Sequence, residues 1–96
     1  MTIESYLSVE EDFENQFVVY PNPSNGLFKL KITKTSFDKF AITVTDLAGK
    51  VIDRQYTQPH QKDVTIDLTD GYSNGIYLVK IDGAQHSLVK QIILQK

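Results

Sequence analysis

The residues that could do chemistry are two histidines, a scatter of aspartates and serines, and a set of tyrosines. A zinc centre needs three or four ligands, and nucleophilic catalysis needs a base held beside a serine or thiol. His60 and His86 have no patterned partner for either role, and the chain has no cysteine. The serines lack the strand–turn–helix setting of a nucleophile elbow. Asp46, Asp67, Asp70 and Asp82 fall at the ends of expected strands, where loops can gather oxygen around calcium. Calcium takes about six to eight oxygens, and no spacing here resembles a dedicated loop. Turn formation is the better account of these aspartates. Tyr20, Tyr56, Tyr72 and Tyr77 could stack on sugars, but tyrosine is also common strand filler with its hydroxyl at the rim. Lys29 and Lys31 share one strand face, too little basic density for nucleic acid. No metal, cofactor or nucleic-acid partner is therefore expected, and no catalytic residue.

The elements that would position these residues are strands. The organising stretch is Tyr20-Pro21-Asn22-Pro23-Ser24-Asn25-Gly26. Pro21 and Pro23 have fixed φ and no amide hydrogen, so neither fits a central strand. Each biases the preceding residue toward an extended backbone. Asn25 and Gly26 tolerate positive φ. A short strand is expected before this stretch, from Phe17 to Tyr20. After it, Phe28, Leu30 and Ile32 alternate with Lys29, Lys31 and Thr33, which reads as a half-buried strand from Leu27 to Lys34. Residues 35–39 read as a connection.

A third strand carries Phe40, Ile42 and Val44, and a hairpin over Asp46–Lys50 places Gly49 at a left-handed position. The fourth runs from Val51 to about Tyr56, with a bulge expected near the turn. Val64, Ile66 and Leu68 mark a fifth strand. Ile76–Ile81 is apolar on both faces apart from Lys80 and reads as central. Asp82-Gly83-Ala84 is a hairpin turn leading to a last strand from about His86 to Leu94. About seven short strands with regular turn signals indicate an all-β, immunoglobulin-like antiparallel β-sandwich. The expected core is Phe28, Leu30, Ile32, Ile42, Val44, Val64, Ile66, Leu68, Tyr77, Val79, Ile81 and Val89. In the last strand Lys90 should share a face with Leu88 and Ile92.

Ninety-six residues make one domain, and no apolar run reaches membrane-spanning length. The net charge of −2 hides an asymmetry. The first sixteen residues hold five acids and no base, whereas residues 17–96 hold ten bases against seven acids. Residues 1–16 are accordingly expected to form an acidic flexible linker, and residues 17–96 the sandwich. No basic-then-apolar leader opens the chain; if the domain is exported, its signal peptide is expected elsewhere on a larger precursor.

The Tyr-Pro-Asn-Pro-Ser-Asn-Gly stretch is followed by Asp46-Leu47-Ala48-Gly49-Lys50, then Gly75-Ile76-Tyr77-Leu78-Val79-Lys80, then Leu88-Val89-Lys90-Gln91-Ile92-Ile93-Leu94. In this order they resemble the C-terminal sorting domain of the type IX (Por) secretion system of Bacteroidetes. The resemblance runs from about Phe17 to Lys96, with serine at position 24 where threonine is usual. It implies a folded secretion signal on a larger cargo, with an N-terminal cargo domain on the same precursor. The translocon would recognise it and carry the cargo from the periplasm across the outer membrane to the cell surface or beyond. A sortase-like surface peptidase would then cut upstream, commonly coupling the cargo to an anionic lipopolysaccharide. The positions carried over by motif are Pro21, Asn22, Pro23, Gly26, Gly49, Gly75, Tyr77 and Lys90, with the terminal stretch to Lys96. Lys90 and Lys96 are expected to be surface charges whose joint reversal to glutamate leaves the melting temperature nearly unchanged yet reduces surface delivery of a fused cargo. The competing reading is an adhesive or carbohydrate-binding sandwich appended to an enzyme, which would need an exposed platform such as coplanar Tyr56 and Tyr72.

Overall fold

Alternating apolar residues set the strands, and the turn residues set where each stops. The computed structural model describes residues 15–33 and 39–96. The strands are β1 (Phe17–Tyr20), β2 (Leu27–Ile32), β3 (Ala41–Thr45), β4 (Val51–Tyr56), β5 (Asp63–Asp67), β6 (Gly75–Asp82) and β7 (Ser87–Leu94). They form a three-stranded sheet ordered β1-β2-β5 and a four-stranded sheet ordered β4-β3-β6-β7, with every strand pairing antiparallel. This is the all-β sandwich that the alternation implied. Residues 1–14 of the expected linker, residues 35–38 of the expected connection and the end of the second strand at Lys34 lie outside the described residues.

The core lies between the sheets. Phe28, Leu30 and Ile32 of β2 and Val64 and Ile66 of β5 face Ile42 and Val44 of β3 and Tyr77, Val79 and Ile81 of β6. Each fully buried aliphatic or aromatic side chain contributes about 1.5–3 kcal/mol of transfer free energy. Phe17 and Phe40, which pattern alone did not assign to the core, meet edge to face with ring centroids 5.1 Å apart. Phe40 precedes β3 and extends its pairing with β4: its amide donates to Thr57 Oγ1, and its carbonyl accepts from the Thr57 amide. The register of β3 on β4 shifts between Val44 and Thr45, the bulge expected beside the hairpin. β6 is central, flanked by β3 and β7.

One core assignment needs correction. Val89 is 55% exposed, and Ile92 and Leu94 occupy the buried positions of β7. Pairing with β6 decides this. Tyr77 and Val79 point inward, so their partners Ile92 and Lys90 must point inward too. The expectation that Lys90 shares a face with Leu88 and Ile92 therefore agrees with the strand register, and that same register excludes Val89 from the core.

Candidate recognition surface

Most of the motif positions gather where β7 ends. After β1 the chain leaves the three-stranded sheet and crosses to the outer edge of β7 in the other sheet. There the Ser24 amide donates to the Ile93 carbonyl at 2.7 Å, and the Gln95 amide donates to the Ser24 carbonyl at 2.7 Å, a short parallel bridge. Asn22 does the same work with its side chain. Its Oδ1 accepts from the Ile93 amide at 3.0 Å, and its Nδ2 donates to the Gln91 carbonyl at 3.1 Å. The carboxamide thus stands in for a peptide group. Asn22 and Ser24 turn toward β7, and the prolines alternate with them, so the missing proline amide hydrogens cost no bond to the strand. Both prolyl bonds, Tyr20–Pro21 and Asn22–Pro23, are cis. Pro21-Asn22-Pro23-Ser24 is therefore a strap over an edge strand that would otherwise expose its backbone.

The strap is fixed at its far end. Ser24 is 2% exposed; its hydroxyl donates to the Leu27 carbonyl and accepts from the Gly26 amide. Gly26 has a φ of 114°, and its carbonyl accepts from the Leu68 amide at 2.7 Å. The strap thereby connects the end of β7 to the end of β5.

The remaining motif positions surround this end. Lys96 donates its ammonium hydrogens to the carbonyls of Thr69 at 3.0 Å and Tyr72 at 2.6 Å, and its amide donates to Asn74 Oδ1. It closes the loop between β5 and β6. Tyr77 points inward, with its hydroxyl donating to the Ser73 carbonyl at 2.7 Å. Gly75 opens β6 with a φ of 151°, and Gly49 turns the β3–β4 hairpin at 92°. That hairpin and the loop before β6 face each other across a cleft of about 480 Å³, lined by Leu47, Val51, Tyr72, Asn74 and Ile76 among others. Lys90 lies apart, half-buried on the inner face of β7 near the open side of the sandwich. Ser24, Asn74, Gln91 and Ile93 belong to the assembly although composition did not single them out. Their contacts span up to 71 residues of sequence.

Lys96 is thus not the free surface charge that its place in the sequence suggests. Lys96→Met is expected to lose about 1 kcal/mol, the scale of charge-assisted hydrogen bonds discounted for exposure, and urea melts of the two proteins measure it. An unchanged midpoint would mean that the ammonium does not hold the loop in solution.

The aspartates serve turns. Asp46 Oδ1 accepts from the amides of Ala48 and Lys50. Asp67 Oδ1 accepts from the hydroxyl and the amide of Thr69, and these bonds, hydroxyl first, hold its carboxyl below the usual range against a small opposing effect of burial. Among the described residues, no three histidine, aspartate or glutamate side chains gather as a metal site would require. Tyr56 is 67% exposed at one end of the four-stranded sheet, beside Ala41. Tyr72 packs against the core at the other end, near Gly75. The two do not form one platform.

The profile of the secretion system C-terminal sorting domain family matches residues 18–95. The chain belongs to that family. The match spans the sandwich from β1 to beyond β7, so the strap and the strand it covers are both inside the sorting domain. No curated protein matches the chain's sequence. Among solved structures, a DUF3244 family protein with an immunoglobulin-like β-sandwich fold from Bacteroides vulgatus superposes with a TM-score of 0.68 at 22% identity, covering 85% of this chain and 87% of the other. PorZ, a surface component of the type IX secretion system of Porphyromonas gingivalis, superposes with a TM-score of 0.70 at 16% identity. That match covers 93% of this chain but 13% of PorZ, so the sorting domain aligns with only a small part of it. At these identities the two structures establish the immunoglobulin-like fold. The family identifies the chain as a type IX sorting signal, part of a cargo precursor that the secretion system recognises, with the cell surface or the exterior as its destination. Neither the family nor the fold is an enzymatic one.

Proposed function

We propose that residues 17–96 act as a folded address on a larger cargo and that the type IX translocon reads this address before the cargo crosses the outer membrane. In this reading residues 1–16 are the accessible acidic linker, and a sortase-like surface peptidase cuts in or beside it. Pro21, Asn22, Pro23, Gly26, Gly49, Gly75 and Tyr77 serve by holding shape, and Lys90 and the stretch to Lys96 carry the surface that is read. The observation that supports this is the family match over residues 18–95, which takes in every strand. A sugar-binding module draws no support from Tyr56 and Tyr72, which stand at opposite ends of the sheet.

The test is a fusion. A signal peptide and a fluorescent protein are placed ahead of residues 1–96 and expressed in a bacterium with a working type IX system. Fluorescence is expected at the cell surface or in the medium, with the sandwich trimmed from the mature product. Retention in the periplasm of a fusion shown to be folded would sink the proposal. Delivery without trimming would remove the peptidase from it.

A further inference from the structure

The strap covers only part of β7. Its bonds go to the Gln91 carbonyl, to the Ile93 amide and carbonyl, and to the Gln95 amide. Residues 91, 93 and 95 therefore direct their backbone groups away from β6. Strand alternation requires Val89 to do the same. Among the described residues Val89 has no neighbour there: β7 is the last strand of its sheet, and the strap ends at Gln91. The amide and carbonyl of Val89 and the amide of Gln91 are left as an open row.

This row borders a groove of about 470 Å³ between the edges of the two sheets, lined by Asn15, Phe17, Val18, Val19, Asn22, Lys90 and Gln91. Lys90 is the one charged residue among the described residues that line it. On the other side of the strand, Val89 and Ile93 are exposed on the outer sheet face. Among the described residues the usual protections of an edge, a proline, a bulge or a covering loop, stop short of Val89.

The geometry points to a strand-addition site: an extended acidic segment of another protein pairs antiparallel with β7 over Ser87–Gln91. Backbone bonds to Val89 and Gln91 hold it, as in other cases where a peptide extends a sheet. Its inward side chain is a carboxylate beside Lys90, and its outward side chain is apolar beside Val89. A second copy of this chain fits poorly. Antiparallel pairing of two β7 strands about Val89 sets each Lys90 opposite a Leu88, brings two ammonium groups into one groove and supplies no carboxylate to either. The site goes beyond the secretion reading, and its test needs no translocon.

The probe is a capped peptide alternating valine with glutamate, titrated into the ¹⁵N-labelled full chain, with a valine–lysine peptide as its counterpart. Amide shifts are expected at Ser87–Gln91 and Phe17–Val19, with slowed hydrogen exchange at Val89 and Gln91. The lysine peptide should bind about tenfold more weakly, because charge complementarity selects the partner. Lys90→Gln should bring that ratio close to one while the pairing persists. Val89→Pro removes an amide that bonds to no neighbouring strand, a position where an edge tolerates proline. It should abolish binding with the fold intact. If this variant does not fold, a peptide N-methylated on the amides facing β7 serves instead and should fail to bind. Shifts elsewhere, equal binding of both peptides, or unimpaired binding to folded Val89→Pro would overturn the assignment. So would a dimer of the unliganded chain in sedimentation that Val89→Pro dissociates, since the edge would then belong to a second copy.

Discussion

Gly26→Val is expected to lose about 3 kcal/mol or more of stability, from positive-φ strain and overpacking together. The backbone at Gly26 has a φ of 114°, where a β-branched side chain is strongly disfavoured. An added Cβ would stand 2.9 Å from the Leu68 carbonyl oxygen and 3.0 Å from the Thr69 Cα. Both are main-chain atoms, so no side chain can swing aside. Nor can the segment easily retreat, because the Gly26 carbonyl accepts from the Leu68 amide and the neighbouring Ser24 is buried and bonded to β7. Gly49 supplies the control. Its φ is 92°, but an added Cβ would meet nothing within 4 Å. Gly49→Ala should therefore cost only about 1 kcal/mol, from conformation alone. Urea melts of both variants separate the two causes. Equal losses would mean that packing against Leu68 and Thr69 contributes nothing.

The contrast shows what the sequence makes legible. Positive φ at Gly26 and Gly49 follows from turn composition, because few other residues take that conformation. The close approach of Leu68 to Gly26 does not, since it depends on β2 pairing with β5 across about 40 residues of chain, with Leu27 beside Asp67. Strand positions were readable where one face is polar: Lys29 and Lys31 leave no doubt about β2, nor Thr65 about β5. The strap was not readable as a strap. Two prolines announce a break in regular structure, but nothing local says that Asn22 will supply a peptide-like pair of bonds to a strand about 70 residues away. β7 is the intermediate case. Leu88, Ile92 and Leu94 compete with Val89 and Ile93 for the core, and hydrophobicity alone does not choose between the two sets. The choice is made by β6, whose inward Tyr77 is fixed by the hydroxyl bond to Ser73 and carries Ile92 inward with it.

That register predicts a large asymmetry between adjacent apolar residues of β7. Ile92 is completely buried against the core. Ile92→Ala should cost about 2–5 kcal/mol, for lost transfer free energy and for the cavity left between two sheets that are held apart by their other side chains. Val89→Ala removes carbon from an exposed face and should stay within about 0.5 kcal/mol. Urea melts give both values directly; similar losses at the two positions would mean that β7 is slipped by one residue, with Val89 inside. The same pair distinguishes folding from recognition when carried on the fluorescent fusion. If the translocon reads a folded sandwich, Ile92→Ala should reduce export in step with the fraction unfolded at the growth temperature, and cooling should restore it. A defect in Val89→Ala cannot arise that way, because the variant stays folded. It would locate contact on the outer face of β7, whereas normal export by Val89→Ala would remove the Val89 side chain from the surface that is read.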